Sequence, residues 1–225
     1  MSLNSVLEYL ANFSLGDFFE VLTFIGFGIF IFRCFILRKP PVPYGKKVSH
    51  DFLEQCVAKL RKQARRTYGI YRVPADIYER LQTNLCDEKN LKRLLCSICS
   101  HLGINGNFIK LVVVDVFASD RAGQIATDLA FTTITLEMKQ GYTPEVVIAI
   151  LAHEAIHLHL YYEGIHYSDT WENEILTDTA AVYCGFGEYM YHGYGVLRGN
   201  FAMSYQKVGY IRQEDVKYIQ SIIRM

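Results

Sequence analysis

His153-Glu154-Ala155-Ile156-His157 places two imidazoles and a carboxylate inside the apolar run from Val146 to Leu160, where burying such groups without a partner or a task is unfavourable. On a helix of about 3.6 residues per turn, His153 and His157 lie one turn apart on one face, so both can reach a single cation at about 2.0–2.1 Å. Glu154 projects about 100° round from His153, near enough to hold a water beside that cation without becoming a ligand. Zinc at this point lowers the pKa of water toward about 7 and Glu154 takes the proton, which is the chemistry of metal-assisted hydrolysis.

Chance is the bland alternative for an HExxH spacing, and the surroundings argue against it. Thr143 suits an N-cap, Pro144 the first helical position and Glu145 the positive end of the helix dipole. Apolar residues then cover almost the whole circumference from Val146 to Ala152, the pattern of a helix buried in a core. His159, two residues past His157, points to another side and reads as structural.

Zinc held by two histidines needs a third protein ligand, with the fourth position left for water or substrate. Trp171 to Val182 reads as a second helix, acidic at its start and apolar afterwards, with Glu174 and Asp178 four residues apart on one face. Glu174 is the better ligand candidate; Glu172 competes but lies across the helix from Asp178. Asp178 is placed to accept the free ring N–H of a ligating histidine.

HExxH followed after a short linker by E-x-x-x-D resembles the gluzincin clan of zinc metallopeptidases, particularly its compact branch: the CAAX prenyl protease type, its bacterial heat-shock membrane protease relatives and the minigluzincins. The resemblance covers roughly Ile109 to Val182. It implies an α+β, zincin-like metallopeptidase domain, Zn2+ as cofactor and a peptide or protein substrate. It also implies His153, His157 and Glu174 as metal ligands, Glu154 as general base and Asp178 as support for a histidine. The linker from Leu158 to Asn173 is short, without the long insertions of larger gluzincins. His166 follows His157 by nine residues, whereas the metzincin pattern needs six, so His166 reads as a solvated residue or as a stabiliser of a developing oxyanion.

The elements that must position these groups are legible in outline. Ser49 to Arg66 is an amphipathic helix with Phe52, Cys56 and Leu60 on one face; Ala75 to Leu85 and Asn90 to His101 read as further helices. Gly103 to Asn107 makes a turn into a strand from Ile109 to Val116, and Phe131 to Met138 forms another. Gly123 to Thr127 reads as an edge strand. In gluzincins such a strand above the active-site helix pairs with an extended peptide, a role that falls here to Gln124 to Thr127. The sheet is expected to be small and mostly antiparallel, flanked by helices. After the second motif helix the chain is rich in glycine and tyrosine before a terminal helix from Gln213 to Ile223; Tyr167, Tyr189, Tyr191 and Tyr205 are candidate donors to a transition-state oxyanion.

With 225 residues, 51% of them hydrophobic, the chain has material for one domain at 49–225 plus an appendage at 1–39, joined by a proline-rich and basic linker at 40–48. Lys and Arg number 23 and Asp and Glu 23, so no charge excess points to nucleic acid. The six cysteines form no dense disulfide framework, and Cys96-Ser97-Ile98-Cys99 reads as core cysteines on a helix. Phe18 to Leu37 is apolar apart from Glu20 and Arg33. As a helix it spans about 30 Å, enough to cross a bilayer once. An interfacial helix, or one packed on the domain, is the alternative. A signal peptide fits less well because no Lys or Arg precedes the stretch. Arg38, Lys39, Lys46 and Lys47 all follow it, which by the positive-inside rule puts the catalytic domain in the cytoplasm. The expectation is a single-pass, membrane-anchored zinc metallopeptidase contacting lipid through its first helix; the alternative is a catalytically silent metal-binding scaffold or regulatory protein at the membrane.

Overall fold

The computed structural model describes residues 47–64, 68–115, 123–127, 132–198 and 205–223. The expected membrane helix at 18–37 and most of the linker lie outside these residues. Among the described residues no helix is long and apolar enough to cross a membrane.

The described chain is α+β. Three helices come first. α1 (His50–Gln63) is opened by Ser49, whose side chain accepts from the Phe52 amide, and it buries Leu53, Cys56, Val57 and Leu60. α2 (Ala75–Thr83) follows Pro74, and α3 (Glu88–Leu102) is capped by Asp87 and buries Leu91, Leu94, Leu95, Ile98 and Cys99. Cys96 and Cys99 are free thiols on α3. Burial pushes the Cys99 thiol up to about 12, as expected of a core cysteine.

A 3-10 turn at Gly106–Phe108 leads into β1 (Ile109–Asp115), then β2 (Gly123–Thr127) and β3 (Thr132–Met138). The strand order is β1-β3-β2, with β1 parallel and β2 antiparallel to β3. The sheet is therefore mixed where a mostly antiparallel one was expected. β2 pairs antiparallel with β3 on one side, and β1 joins the other side of β3 in parallel. Along β3 burial alternates: Thr132, Ile134, Leu136 and Met138 face the core and Thr133, Thr135 and Glu137 the other side.

The longest helix among the described residues, α4 (Pro144–Glu163), runs through the middle of the fold. It starts as its residues dictate, with Thr143 Oγ1 accepting from the Val146 amide at 3.4 Å and proline in the first turn. Every residue from Val146 to Ile156 is buried. α2, α3, β2, β3, α5 (Thr170–Ala181) and α6 (Gly187–Gly193) all pack against it. Between α5 and α6 the helical path loosens at Val182–Phe186 and turns at Gly185. A short antiparallel hairpin, β4 (Gly195–Arg198) and β5 (Tyr205–Val208), not expected from the sequence, precedes α7 (Gln213–Ile223).

Candidate metal centre

α4 and α5 bring together residues that are 17 to 25 positions apart in the chain. His153 Nε2 and His157 Nε2 lie 3.0 Å from each other, and each stands 3.2 Å from Glu174 Oε2. A tetrahedral site with bonds of about 2.0–2.1 Å has ligand–ligand edges of about 3.3–3.4 Å, so these three atoms match one face of such a site drawn slightly closed. Two imidazole nitrogens and one carboxylate oxygen are a donor set suited to a borderline cation. His153, His157 and Glu174 can thus bind a metal ion together.

The electrostatics favour positive charge at this point. Burial pulls the His153 pKa down, but hydrogen bonds to the carboxylates of Asp178 and Glu174 outweigh it and raise it from 6.5 to about 10. Burial likewise pushes Glu174 up, and the two histidines overcome it, lowering that carboxyl from 4.5 to about 2. A field that draws a proton to the cluster draws a cation for the same reason.

Asp178 holds His153 from behind. It is fully buried, and its Oδ1 accepts from His153 Nδ1 at 2.7 Å. Because a carboxylate only accepts, Nδ1 carries a proton, which leaves Nε2 as the nitrogen a metal would take once its own proton is displaced. The same oxygen accepts from the Tyr194 hydroxyl, while Oδ2 accepts from the backbone amides of Tyr210 at 2.8 Å and Ile211 at 3.1 Å. Burial, with Asp178 alongside, pushes Tyr194 well above its usual pKa of 10, so it remains a donor. Gly209 has φ +85°, and a Cβ there would fall 2.1 Å from the Tyr194 ring, so the turn into Tyr210 depends on glycine.

Glu154 lies beside the cluster with 6% of its surface exposed; burial raises its pKa against the pull of His153 and His157. It is pressed against β2: a Cβ on Gly123 would come within 2.7 Å of Glu154 Oε1. β2 is the last strand of its sheet, so its outer backbone groups have no strand partner among the described residues.

The other expected residues are elsewhere. Glu172 and His166 are exposed. His159 is buried with Nε2 2.8 Å from the Tyr68 hydroxyl, consistent with a structural role. Tyr189 accepts from the Val73 amide, Tyr167 packs against Phe52 and Lys59, and Tyr191 lies under Lys217. The Tyr205 side chain lies outside what is described. The tyrosines beside the centre are Tyr194 and Tyr210, the second with its ring stacked on His153 at 5.8 Å. Sequence offers no reason to prefer these two, since both reach His153 and Asp178 through tertiary packing. Comparison with known proteins finds no matching family model, no matching curated protein and no matching solved structure.

Proposed function

We propose that this chain is a zinc-dependent metallopeptidase of the gluzincin type, hydrolysing peptide bonds with Glu154 as general base. The observation that carries the reading is the convergence of His153, His157 and Glu174 next to a buried, non-ligating carboxylate at Glu154. Zinc, when bound by those three residues, supplies a Lewis acid that lowers the pKa of water and polarises a carbonyl.

The chain's own residues do the rest. Asp178 holds His153 in one tautomer, so that Nε2 faces the centre. Glu154, held against the β2 backbone, takes a proton at its carboxylate from the attacking water and returns it to the leaving amine. The outer edge of β2, the last strand of its sheet, is where an extended peptide would add as a further strand, binding through its main chain and bringing a peptide bond rather than another ester or amide near Glu154.

The test is metal content of the purified full-length chain by mass spectrometry, with His153→Ala, Glu174→Ala and Glu154→Gln beside it. About one zinc per chain is expected in the unaltered protein and in Glu154→Gln, and much less in the other two. Turnover of a mixed peptide library is expected in the unaltered protein alone. Absence of bound metal, or metal retained in both ligand variants, overturns the metal site; full metal with equal behaviour of the unaltered protein and Glu154→Gln leaves the silent scaffold as the answer.

A further inference from the structure

Thr177 is fully buried on α5, one residue before Asp178 and three after Glu174. Its Oγ1 lies 2.9 Å from the carbonyl oxygen of Asn173 and 3.3 Å from His157 Nδ1. A hydroxyl has one proton and two lone pairs, and a carbonyl oxygen only accepts. The Thr177 proton therefore goes to Asn173, and the same oxygen faces His157 with a lone pair. His157 Nδ1 must bring the proton of that contact. A neutral His157 then has its lone pair on Nε2, the atom 3.2 Å from Glu174 Oε2 and the one a metal would take.

We propose that Thr177 is a positioning residue of the metal centre, setting the tautomer and ring orientation of His157 as Asp178 does for His153. The inference rests on the metal-site reading above. Residues 174, 177 and 178 fall on one helix face, so a single turn of α5 supplies one ligand and orients the other two. Neither histidine then has to choose its tautomer when the metal arrives.

A buried threonine bonding the carbonyl four residues back is common in helices and needs no histidine. Two turns of the same helix separate the cases. Thr179, also fully buried, makes the same bond to Ile175 O at 2.7 Å, and no ligand histidine is among its hydrogen-bond partners. Thr179 is thus the internal control for a purely structural role.

The experiment measures zinc affinity of the full-length chain by competition with a chromophoric chelator, for the unaltered protein, Thr177→Val, Thr177→Ser and Thr179→Val. Valine keeps the shape and removes the hydroxyl. Thr177→Val is expected to bind zinc about 10- to 100-fold more weakly, the usual loss for an outer partner of a ligand, with Thr177→Ser and Thr179→Val close to the unaltered protein. In zinc-loaded protein carrying 15N-histidine, the His157 Nδ1–H is expected to exchange slowly and to lose that protection in Thr177→Val alone. Circular dichroism checks the fold, and Thr177→Ala replaces the valine variant should that one misfold. Equal zinc affinity in Thr177→Val and the unaltered protein overturns the proposal, as does equal weakening in the two valine variants. No zinc in the unaltered protein overturns the metal site, and this inference with it.

Discussion

Gly123 and Glu154 come from different elements and share one small space. A methyl group on Gly123 would lie 2.7 Å from Glu154 Oε1 and 2.9 Å from Ile150 Cγ2, inside the contact distance of either atom. The glycine is thus the seat of the carboxylate. Gly123→Ala is expected to destabilise the protein by about 1–3 kcal/mol, the range for overpacking a tight interior, and to displace Glu154 while leaving His153, His157 and Glu174 in place. Denaturant unfolding and a zinc titration of the same variant check both halves: lower stability with an unchanged metal stoichiometry. An alanine variant as stable as the unaltered chain would mean that the carboxylate is not seated there. At this scale the sequence is legible where chemistry follows from spacing along one helix, as for His153 with His157 and Glu174 with Asp178. It is silent where a partner arrives from another element. Nothing local marks Tyr194 as a donor to Asp178 or Gly123 as the neighbour of Glu154, because both contacts are made by tertiary packing.

The order of the helices is legible from their periodicity, and the structure adds start signals of which only the one at Thr143 is read from the sequence. Ser49, Asp87, Thr143 and Asp169 each accept a backbone amide at a helix start, and each is a residue type whose side chain favours that place. The parallel pairing of β1 with β3 was not readable, since alternating burial fixes which face a strand presents and says nothing of its neighbour's direction. One contact locks the start of the helix that carries His153 and His157 from outside: the Tyr78 hydroxyl on α2 donates to Glu145 in the first turn of α4. Burial works to raise the Glu145 pKa, but hydrogen bonds from Tyr78 and Thr143 outweigh it, and the net direction is below 4.5. A carboxyl with a lowered folded-state pKa contributes stability that is present above its unfolded value and is lost as pH falls through the folded one. Tyr78→Phe is therefore expected to unfold about 1 kcal/mol more easily near pH 7, a modest figure because Glu145 is partly solvated. The gap should close as pH falls below about 4.5. Urea midpoints of both proteins across pH 3 to 7 test this, and a gap constant over that range would count against the tether.

Across the whole domain, Asp178 is where distant parts of the chain meet. Its two oxygens accept from His153 on α4, from Tyr194 after α6, and from the amides of Tyr210 and Ile211 ahead of α7, partners 16 to 33 residues away. Asp178 has no exposure, so water cannot take over those donors unless space is opened. Glu174, one turn earlier, is different. It is only partly buried, and it pairs with the two histidines. The two acidic residues of one motif are therefore differently placed: Asp178 ties distant parts of the fold to His153, and Glu174 faces the two histidines. Measured with a chelator present, so that no metal contributes, Asp178→Ala is expected to lose about 3–5 kcal/mol of unfolding free energy. That is the scale of several buried donors left without an acceptor, moderated by any water that enters. Glu174→Ala under the same conditions should lose less than Asp178→Ala, since Glu174 is only partly buried and water can reach the two histidines it leaves. Added zinc should then stabilise the unaltered chain, by about 2.7 kcal/mol at a free concentration 100-fold above its Kd, and leave Glu174→Ala nearly unmoved. Equal losses for the two variants in chelator would show that the cluster is an ordinary buried ion network of the fold, because a residue kept for a metal should matter little until the metal is there.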